Sequence, residues 1–146
     1  MTASFDLDRF VAAQDPVYAR VRAELAAGAK TSHWMWFVFP QLRGLGRSAM
    51  ADHFGIENRA EADAYLRHPV LGEHLRECTQ LVLTVHGRDA TGIFGTPDDM
   101  KFHSSMTLFA EVTDEPLFAE ALARYFGGQR DARTLQLLQE RAGPAS

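Results

Sequence analysis

Residues 93–109 (IFGTPDDMKFHSSMTLF) hold the side chains best suited to acid–base chemistry. If a helix begins here, Asp99 and His103 are four residues apart and lie side by side on its surface. Asp98 falls on the apolar face, because positions 98, 102, 105 and 109 step by four, three and four. A carboxylate, an imidazole and an ammonium at the mouth of a pocket can transfer protons. We predict Asp98, Asp99 and His103 as catalytic residues, with ligand contacts from Lys101, Ser104 and Ser105.

The same residues also have an ordinary structural interpretation, which stays open. Asp98 and Asp99 stabilise a helix N-terminus through the helix dipole, and Ser105 can donate to a carbonyl one turn earlier. A Ser-His-Asp triad within this helix is not expected. Ser104 points about 100° away from His103 around the helix axis, and the sequence shows no nucleophile elbow.

The stretch 30–48 (KTSHWMWFVFPQLRGLGRS) combines aromatic side chains with cations, which is typical of a ligand pocket. Core packing explains the aromatic residues but not the polar residues crowded around them. One of the two tryptophans is expected in the core, and the other can stack on a ligand ring. From this stretch we predict ligand contacts from Lys30, His33, Trp34, Trp36, Gln41, Arg43, Gly44, Gly46, Arg47 and Ser48.

The loop within that stretch is predicted to bind an anion. Gly44 and Gly46 permit a close backbone approach, while Arg43 and Arg47 supply positive charge. Ser48 can cap the helix that follows. The pattern is neither a P-loop nor a dinucleotide fingerprint, since the lysine spacing is wrong and no strand precedes it. An ordinary turn is therefore the alternative.

A metal site is not expected. The six histidines include no pair spaced four residues apart, and a single cysteine cannot form a thiolate site. Cys78 lies on an apolar stripe between Leu75 and Val82, where a small buried side chain is the ordinary interpretation. We predict no metal and no cofactor.

Helices must position these side chains, because strand signals are scarce in the sequence. The apolar residues between positions 71 and 85 recur four and three apart, which indicates one buried helix stripe. The run Trp34–Phe39 is predicted as a short helix capped by Ser32 and stopped by Pro40. Other helix starts are predicted at Asp6, Pro16, Asn58, Pro69, Pro97 and Asp131. The predicted fold class is mainly α, a compact single-domain orthogonal array of about seven to nine helices with little or no sheet.

Composition indicates a globular protein. A chain of 146 residues, 46% hydrophobic and 23% charged, is expected to form one domain over residues 1–146 with a frayed tail from about residue 142. The net charge of −4 gives no attraction to nucleic acid or to an anionic membrane. The single cysteine, the short apolar runs and the lack of a secretory signal pattern predict a soluble cytoplasmic protein.

Four segments resemble the hallmark blocks of a bacterial family: DLDRFVAAQDPVY, GAKTSHWMWFVFPQLRGLGRS, AYLRHPVLG and IFGTPDDMKFHSSMTLF. This is domain-of-unknown-function family 1810, whose members are sometimes labelled calpastatin, and the resemblance covers about residues 5–138. It implies a largely helical single domain and no settled activity. The calpastatin label carries no weight, because such an inhibitor is expected to be long and disordered. A more distant similarity to the YbiA-like proteins, associated with NAD and ADP-ribose chemistry, is an analogy at the level of fold.

Three functions are compatible with these observations. The first is an enzyme that binds a phosphorylated nucleotide-like molecule of the ADP-ribose type and hydrolyses an N-glycosidic bond. In that hypothesis the cations hold phosphate, an indole stacks on a ring, an aspartate steadies an oxocarbenium-like centre and His103 moves a proton. The second is a non-catalytic module that uses the same pocket. The third is a helical protein-interaction domain that uses the Trp34–Phe39 segment.

Overall fold

Ten helices make up most of residues 5–141, the part of the chain that the computed structural model describes. The predicted tail from about residue 142 lies outside the described residues. Within them, the only strand-like pairing is an isolated parallel bridge between Leu42 and Ile56. The predicted mainly α fold is therefore confirmed. The helices are α1 (Asp8–Gln14), α2 (Tyr18–Ala26), α3 (Met35–Val38), α4 (Ala49–His53), α5 (Arg59–Arg67), α6 (Leu71–Leu83), α7 (Ala90–Phe94), α8 (Asp98–Val112), α9 (Pro116–Phe126) and α10 (Ala132–Glu140).

Several helices begin at the residues that the sequence indicated. The side chains of Ser48, Asn58 and Asp131 each accept a hydrogen bond from the backbone N–H three residues later. Pro97 stands directly before α8. Such caps satisfy N–H groups that have no partner inside the helix. These starts depend on neighbours in the chain, which is why the sequence predicts them.

Two predicted caps are wrong. α1 begins at Asp8 after Leu7 and has no side-chain cap bond, so Asp6 stands too early. Ser32 stands three residues before the first residue of α3, and its hydroxyl donates to Glu24 Oε2 instead. In the second case a tertiary partner takes the place of the local one.

α8 occupies the centre of the fold and packs against α5, α7, α9 and α10. Its Phe102 and Phe109 are fully buried. The four-and-three stripe of α6 lies in the core as predicted, at Leu71, Leu75, Cys78 and Val82. Burial of one large apolar side chain contributes about 1.5–3 kcal/mol, so these two helices hold the remaining elements in place.

The aromatic helix α3 is fixed against the end of α7 and the second turn of α8. The ring of Phe39 meets those of Phe94 and Phe102 edge-on, with centroids 5.8 and 5.0 Å apart. In the preceding loop, the backbone N–H of Lys30 donates to the Ile93 carbonyl at 2.8 Å. The two segments singled out in the sequence therefore lie next to each other.

Exposed apolar surface is scarce in the described part of the chain. Of the run Trp34–Phe39, only Trp36 is half-buried and the others are buried. The interaction-domain hypothesis therefore loses the surface on which it depended. No helix within residues 5–141 is both long enough and apolar enough to cross a bilayer.

Candidate ligand pocket

A pocket of about 380 Å³ opens where the loop before α3 meets the first turn of α8. This volume falls within the range of roughly 300–1,000 Å³ found for small-molecule sites. Both segments singled out in the sequence contribute to it. The lining residues are Lys30, Thr31, Ser32, His33, Met35, Trp36, Phe94, Thr96, Pro97, Asp98 and Lys101.

Lys30 places a buried ammonium group in the wall of this pocket. Its Nζ lies 2.7 Å from Asp98 Oδ2 and donates to the Ser32 carbonyl at 2.6 Å, and only 6% of its side chain is exposed. The ammonium also lies 5.1 Å from the ring centroid of Trp34. Trp34 is buried, so it is the tryptophan that belongs to the core. Ion pairing and hydrogen bonding offset the cost of burying the charge.

Lys101 reaches the same carboxylate from one turn further along α8. Its Nζ lies 3.2 Å from Asp98 Oδ1 and 4.8 Å from the ring centroid of Trp36. The Lys101 side chain is 20% exposed, and Trp36 is the half-buried tryptophan of the pair. The Lys101 ammonium lies over the indole ring, so a molecule that enters the pocket meets positive charge next to an aromatic surface.

The lysine cluster, by which we mean Lys30, Asp98 and Lys101, carries a net positive charge. Two ammonium groups share one carboxylate, whose side chain is 19% exposed. Away from bulk water a charge attracts an opposite charge more strongly, because the local dielectric is low. His33 lies exposed at the edge of the pocket. The pocket is therefore suited to a phosphate or a carboxylate.

The two lysines of this cluster are the only lysines in the whole sequence, although Lys and Arg together number 15. All the remaining residues in that total are arginines. Lysine presents a compact point charge on a flexible stem, whereas arginine presents a planar fork. The convergence of both lysines on one pocket is a compositional signal that motif reading missed.

Glu24 supports the pocket from α2 and was not anticipated from the sequence. Its carboxylate accepts hydrogen bonds from the backbone N–H groups of Thr31 and Ser32, the Ser32 hydroxyl and the indole N–H of Trp34. Burial by itself would raise the pKa of Glu24, but these donors outweigh it and lower the pKa to about 2. The loop that carries Lys30 is thereby attached to α2.

Asp99 turns away from the pocket and stabilises the turn before α8. Its Oδ2 accepts a hydrogen bond from the Thr91 hydroxyl at 2.7 Å, and its Oδ1 accepts one from the Met100 backbone N–H at 2.9 Å. These contacts agree with the structural interpretation of Asp99, in which it stabilises the N-terminus of a helix. Asp98 and Asp99 are adjacent in sequence, but Asp98 pairs with the two lysines and Asp99 binds the Thr91 hydroxyl.

His103 lies on another face of α8 and contacts the chain after α9. Its Nε2 donates to the Gln129 carbonyl at 2.7 Å, which fixes the proton on Nε2 because a carbonyl can only accept. Its ring stacks on Phe126 with centroids 4.1 Å apart. The structure thus gives Asp99 and His103 separate partners. Of the three residues predicted as catalytic, Asp98 is the one that lines the pocket.

Ser104 and Ser105 are both buried on α8. The Ser104 hydroxyl donates to the Met100 carbonyl at 3.2 Å and lies 3.4 Å from Asp131 Oδ2. The sequence suggested that Ser105 donates a hydrogen bond to a carbonyl one turn earlier; in the structure Ser104 makes such a bond. The Ser105 hydroxyl has no hydrogen-bond partner in residues 5–141, and Ser105 does not line the pocket.

The arginines of the predicted anion loop do not line the pocket. Arg43 lies 3.2 Å from Glu57 Oε2 and donates to the Asp52 carbonyl at 3.0 Å. It lines a separate depression beside those acidic residues. Arg47 is exposed. Positive charge therefore enters the pocket through lysines rather than through this loop.

Other residues of the same loop have defined positions. Gln41 and Gly46 line a second cavity next to the pocket. A Cβ on Gly46 would lie 2.6 Å from the Cβ of Ala51, so only glycine fits there. Gly44 has a φ of +102°, which an L side chain rarely adopts. Ser48 caps α4. The glycines therefore shape the loop, and its backbone can pack closely.

Metal-binding side chains do not cluster in the described residues, where no three His, Cys, Asp or Glu residues are placed to hold an ion. Cys78 is fully buried in the core, and burial raises the pKa of its thiol to about 12. A protonated, enclosed thiol is a poor nucleophile. Cys78 therefore packs as an apolar side chain.

Comparison with known proteins identifies relatives of unknown function. The sequence profile described as "protein of unknown function (DUF1810)" matches residues 4–138. Among solved structures, a conserved hypothetical protein from Mycobacterium tuberculosis is 58% identical, with a TM-score of 0.91 over 92% of this chain and 97% of the other. No curated protein matches the chain.

Proposed function

The chain belongs to the DUF1810 family of proteins of unknown function, and we propose that it binds a small phosphorylated, nucleotide-like molecule of the ADP-ribose type. One observation carries this proposal. The only two lysines of the sequence converge on a single carboxylate in a pocket, beside a half-buried tryptophan. In this function the lysine cluster holds phosphate and Trp36 stacks on the base.

The charge balance supports an anionic ligand. A structural ion pair needs one cation for one carboxylate, whereas Asp98 has two within 3.2 Å. Each buried ammonium costs free energy unless it is paired. A bound phosphate adds a second anion beside the two ammonium groups and can accept hydrogen bonds from them.

Binding is better supported than hydrolysis of an N-glycosidic bond. Hydrolysis requires an acid or a base beside the scissile bond. Both oxygens of Asp98 are engaged by ammonium groups, while Asp99 and His103 have partners elsewhere. We therefore favour the non-catalytic module. Incubation with ADP-ribose or NAD should return the ligand intact by chromatography, and release of a free base would restore the enzyme hypothesis.

The direct test is calorimetric titration of ADP-ribose into the wild-type protein and single lysine variants. Lys101→Met and Lys30→Met each remove one charge-assisted contact, worth about 1.5–3 kcal/mol, so affinity should fall about 10- to 100-fold. Arg20→Met removes one positive charge from the exposed face of α2 and serves as the control. Lysine variants that bind as tightly as the control would contradict the proposal.

The scarcity of lysine provides a second readout. Protein labelled with ¹³C at lysine Cε should give two side-chain NMR signals, because the sequence contains two lysines. Both signals should shift on addition of ADP-ribose or inorganic phosphate. Absence of a shift in both signals at millimolar ligand would reject the lysine cluster as the phosphate site.

A further inference from the structure

A second cavity adjoins the candidate pocket across Lys101. It measures about 360 Å³ and shares Pro97 and Lys101 with the pocket, so the Lys101 side chain borders both volumes. One wall comes from the loop before α4, one from the first turns of α8 and one from the start of α10. A ligand with phosphate at Lys101 therefore has space on both sides.

The walls of the second cavity have a different chemistry from those of the pocket. Leu45, Pro97 and Met100 form an apolar side. Met100 is 65% exposed, more than any other large hydrophobic side chain in the described residues. Asp131 and Ser104 supply oxygen atoms within the same cavity. An apolar side beside hydrogen-bonding oxygens matches a sugar, which presents C–H groups on its faces and hydroxyl groups at its edges.

Asp131 provides the carboxylate of this cavity, which the cations Lys101 and Arg133 also line. Its Oδ2 accepts hydrogen bonds from the backbone N–H and the hydroxyl of Thr134, at 3.0 and 2.6 Å. These bonds fix the carboxylate as the cap of α10. Its Oδ1 accepts no hydrogen bond from residues 5–141. A fixed carboxylate with a free oxygen accepts hydrogen bonds from the hydroxyl groups of a sugar.

We infer that the second cavity is a subsite for a hydroxyl-bearing sugar. The sugar is joined through a diphosphate at Lys101 to a nucleoside that occupies the candidate pocket. This inference rests on the proposed function and narrows the ligand class to sugar-terminated nucleoside diphosphates. Asp131 becomes the residue that distinguishes ADP-ribose from ADP, because both ligands carry the same base and the same two phosphates.

The test compares ADP with ADP-ribose by calorimetry. Wild-type protein should bind ADP-ribose at least tenfold more tightly than ADP. Asp131→Asn retains an N-cap side chain but replaces the carboxylate, so the preference should fall to about twofold while the affinity for ADP stays unchanged. The matched control is Asp89→Asn, which alters the cap of α7 at an exposed position outside both cavities.

The outcomes separate the subsite from the phosphate site. Equal affinities of wild-type protein for ADP and ADP-ribose would overturn the subsite, as would a full preference in Asp131→Asn. In either case a loss of ADP binding in Lys101→Met would leave the proposed function standing. If neither ligand binds the wild type, the proposed function fails and the subsite fails with it.

Discussion

Two polar clusters lie under the surface of this protein, and they differ in how completely their groups are paired. The lysine cluster combines two ammonium groups with one carboxylate. The second cluster, here called the glutamine network, is centred on Gln14 in α1. Gln14 is 1% exposed, so its amide depends on partners within the protein.

The glutamine network satisfies both ends of that amide. The Gln14 Nε2 donates to the Phe37 carbonyl at 2.6 Å and to the Tyr65 hydroxyl at 3.0 Å. The Gln14 Oε1 accepts from His74 Nδ1 at 2.7 Å. Helices α1, α3, α5 and α6 are joined through this one side chain. The network contacts α3 at the Phe37 carbonyl, and Phe37 does not line the pocket.

The outer part of the network is paired in the same way. His74 stacks on Tyr18 with ring centroids 3.5 Å apart, and the Tyr18 hydroxyl donates to Glu77 Oε1 at 2.5 Å. Burial lowers the pKa of His74 and raises the pKa of Tyr18, so the neutral form of each ring is favoured. The polar groups of this region need no further partner.

The comparison separates a region whose polar groups are paired within the protein from one in which two ammonium groups share a carboxylate. In the glutamine network, the buried amide of Gln14 has its partners inside the protein, and the result is a junction of four helices. In the lysine cluster the charges are unequal and cavities lie on both sides of Lys101. This inequality of charge is the basis of the proposed phosphate binding. Mutations in the two regions should therefore affect different measurements.

The largest effect on stability is expected from Gln14→Leu. The Phe37 carbonyl, the Tyr65 hydroxyl and the His74 ring each lose a buried hydrogen-bond partner, which costs about 3 kcal/mol in total and lowers Tm by roughly 10 °C. Urea denaturation and calorimetry measure this change. ADP-ribose affinity below the transition should stay within twofold. Gln80→Leu, at an exposed position of α6, is the control, and equal stability of the two variants would refute the structural role.

A slightly smaller loss of stability is expected from Glu24→Gln, and this loss depends on pH. The pKa of Glu24 is lowered from 4.5 to about 2 in the folded protein. Its contribution, about 2–3 kcal/mol, is therefore complete above pH 4.5 and is lost as the pH falls toward 2. The variant should lose about 2 kcal/mol at pH 7 and show a flatter stability curve between pH 4.5 and 2. Denaturation across pH measures this, with the exposed Glu120→Gln as control. An unchanged acid slope would contradict the assignment.

The next largest effect is expected from Asp98→Asn, which removes the carboxylate of the lysine cluster. Without the carboxylate two ammonium groups are unpaired, so stability without phosphate should fall by about 1–2 kcal/mol. Affinity for inorganic phosphate should rise about fivefold, because the anion no longer competes with Asp98. Thermal unfolding with and without phosphate measures both effects. Asp63→Asn, which breaks an exposed pair with Arg67, is the control. Weaker phosphate binding in Asp98→Asn would contradict the charge argument.

The smallest effect is expected from His103→Gln. The change removes the hydrogen bond to the Gln129 carbonyl and the stacking on Phe126, which together contribute about 1 kcal/mol. ADP-ribose affinity should stay within twofold of wild type by calorimetry. His86→Gln, at an exposed position, serves as control. A loss of binding or of any turnover confined to His103→Gln would place this residue in the functional site after all.

Part of the candidate site could be predicted because the relevant information is local. Trp36, Asp98 and Lys101 were singled out by residue type and helix spacing, and all three line the pocket. Spacing gives the face of a helix that a side chain occupies, but it does not give the partner. Asp99 and His103 share a helix face by spacing, yet Thr91 and Gln129 respectively bind them.

The supporting residues could not be predicted, because their partners lie beyond the three or four positions over which helix spacing acts. Gln14 and His74 are separated by 60 positions, and Glu24 meets Trp34 across a turn between two helices. Neither pair leaves a periodic pattern. The arginines of the loop lie outside the pocket for a related reason. Nearby carboxylates and carbonyls compete for a guanidinium, and Arg43 binds Asp52 and Glu57.

The sequence by itself determined the helical class, several helix starts and the buried stripe of α6, because caps and apolar periodicity act over a few residues. It also contained the small number of lysines. Only the tertiary structure decided that both lysines meet Asp98 and that His103 does not. Side chains distant in sequence become neighbours through packing, and packing is a property of the whole core.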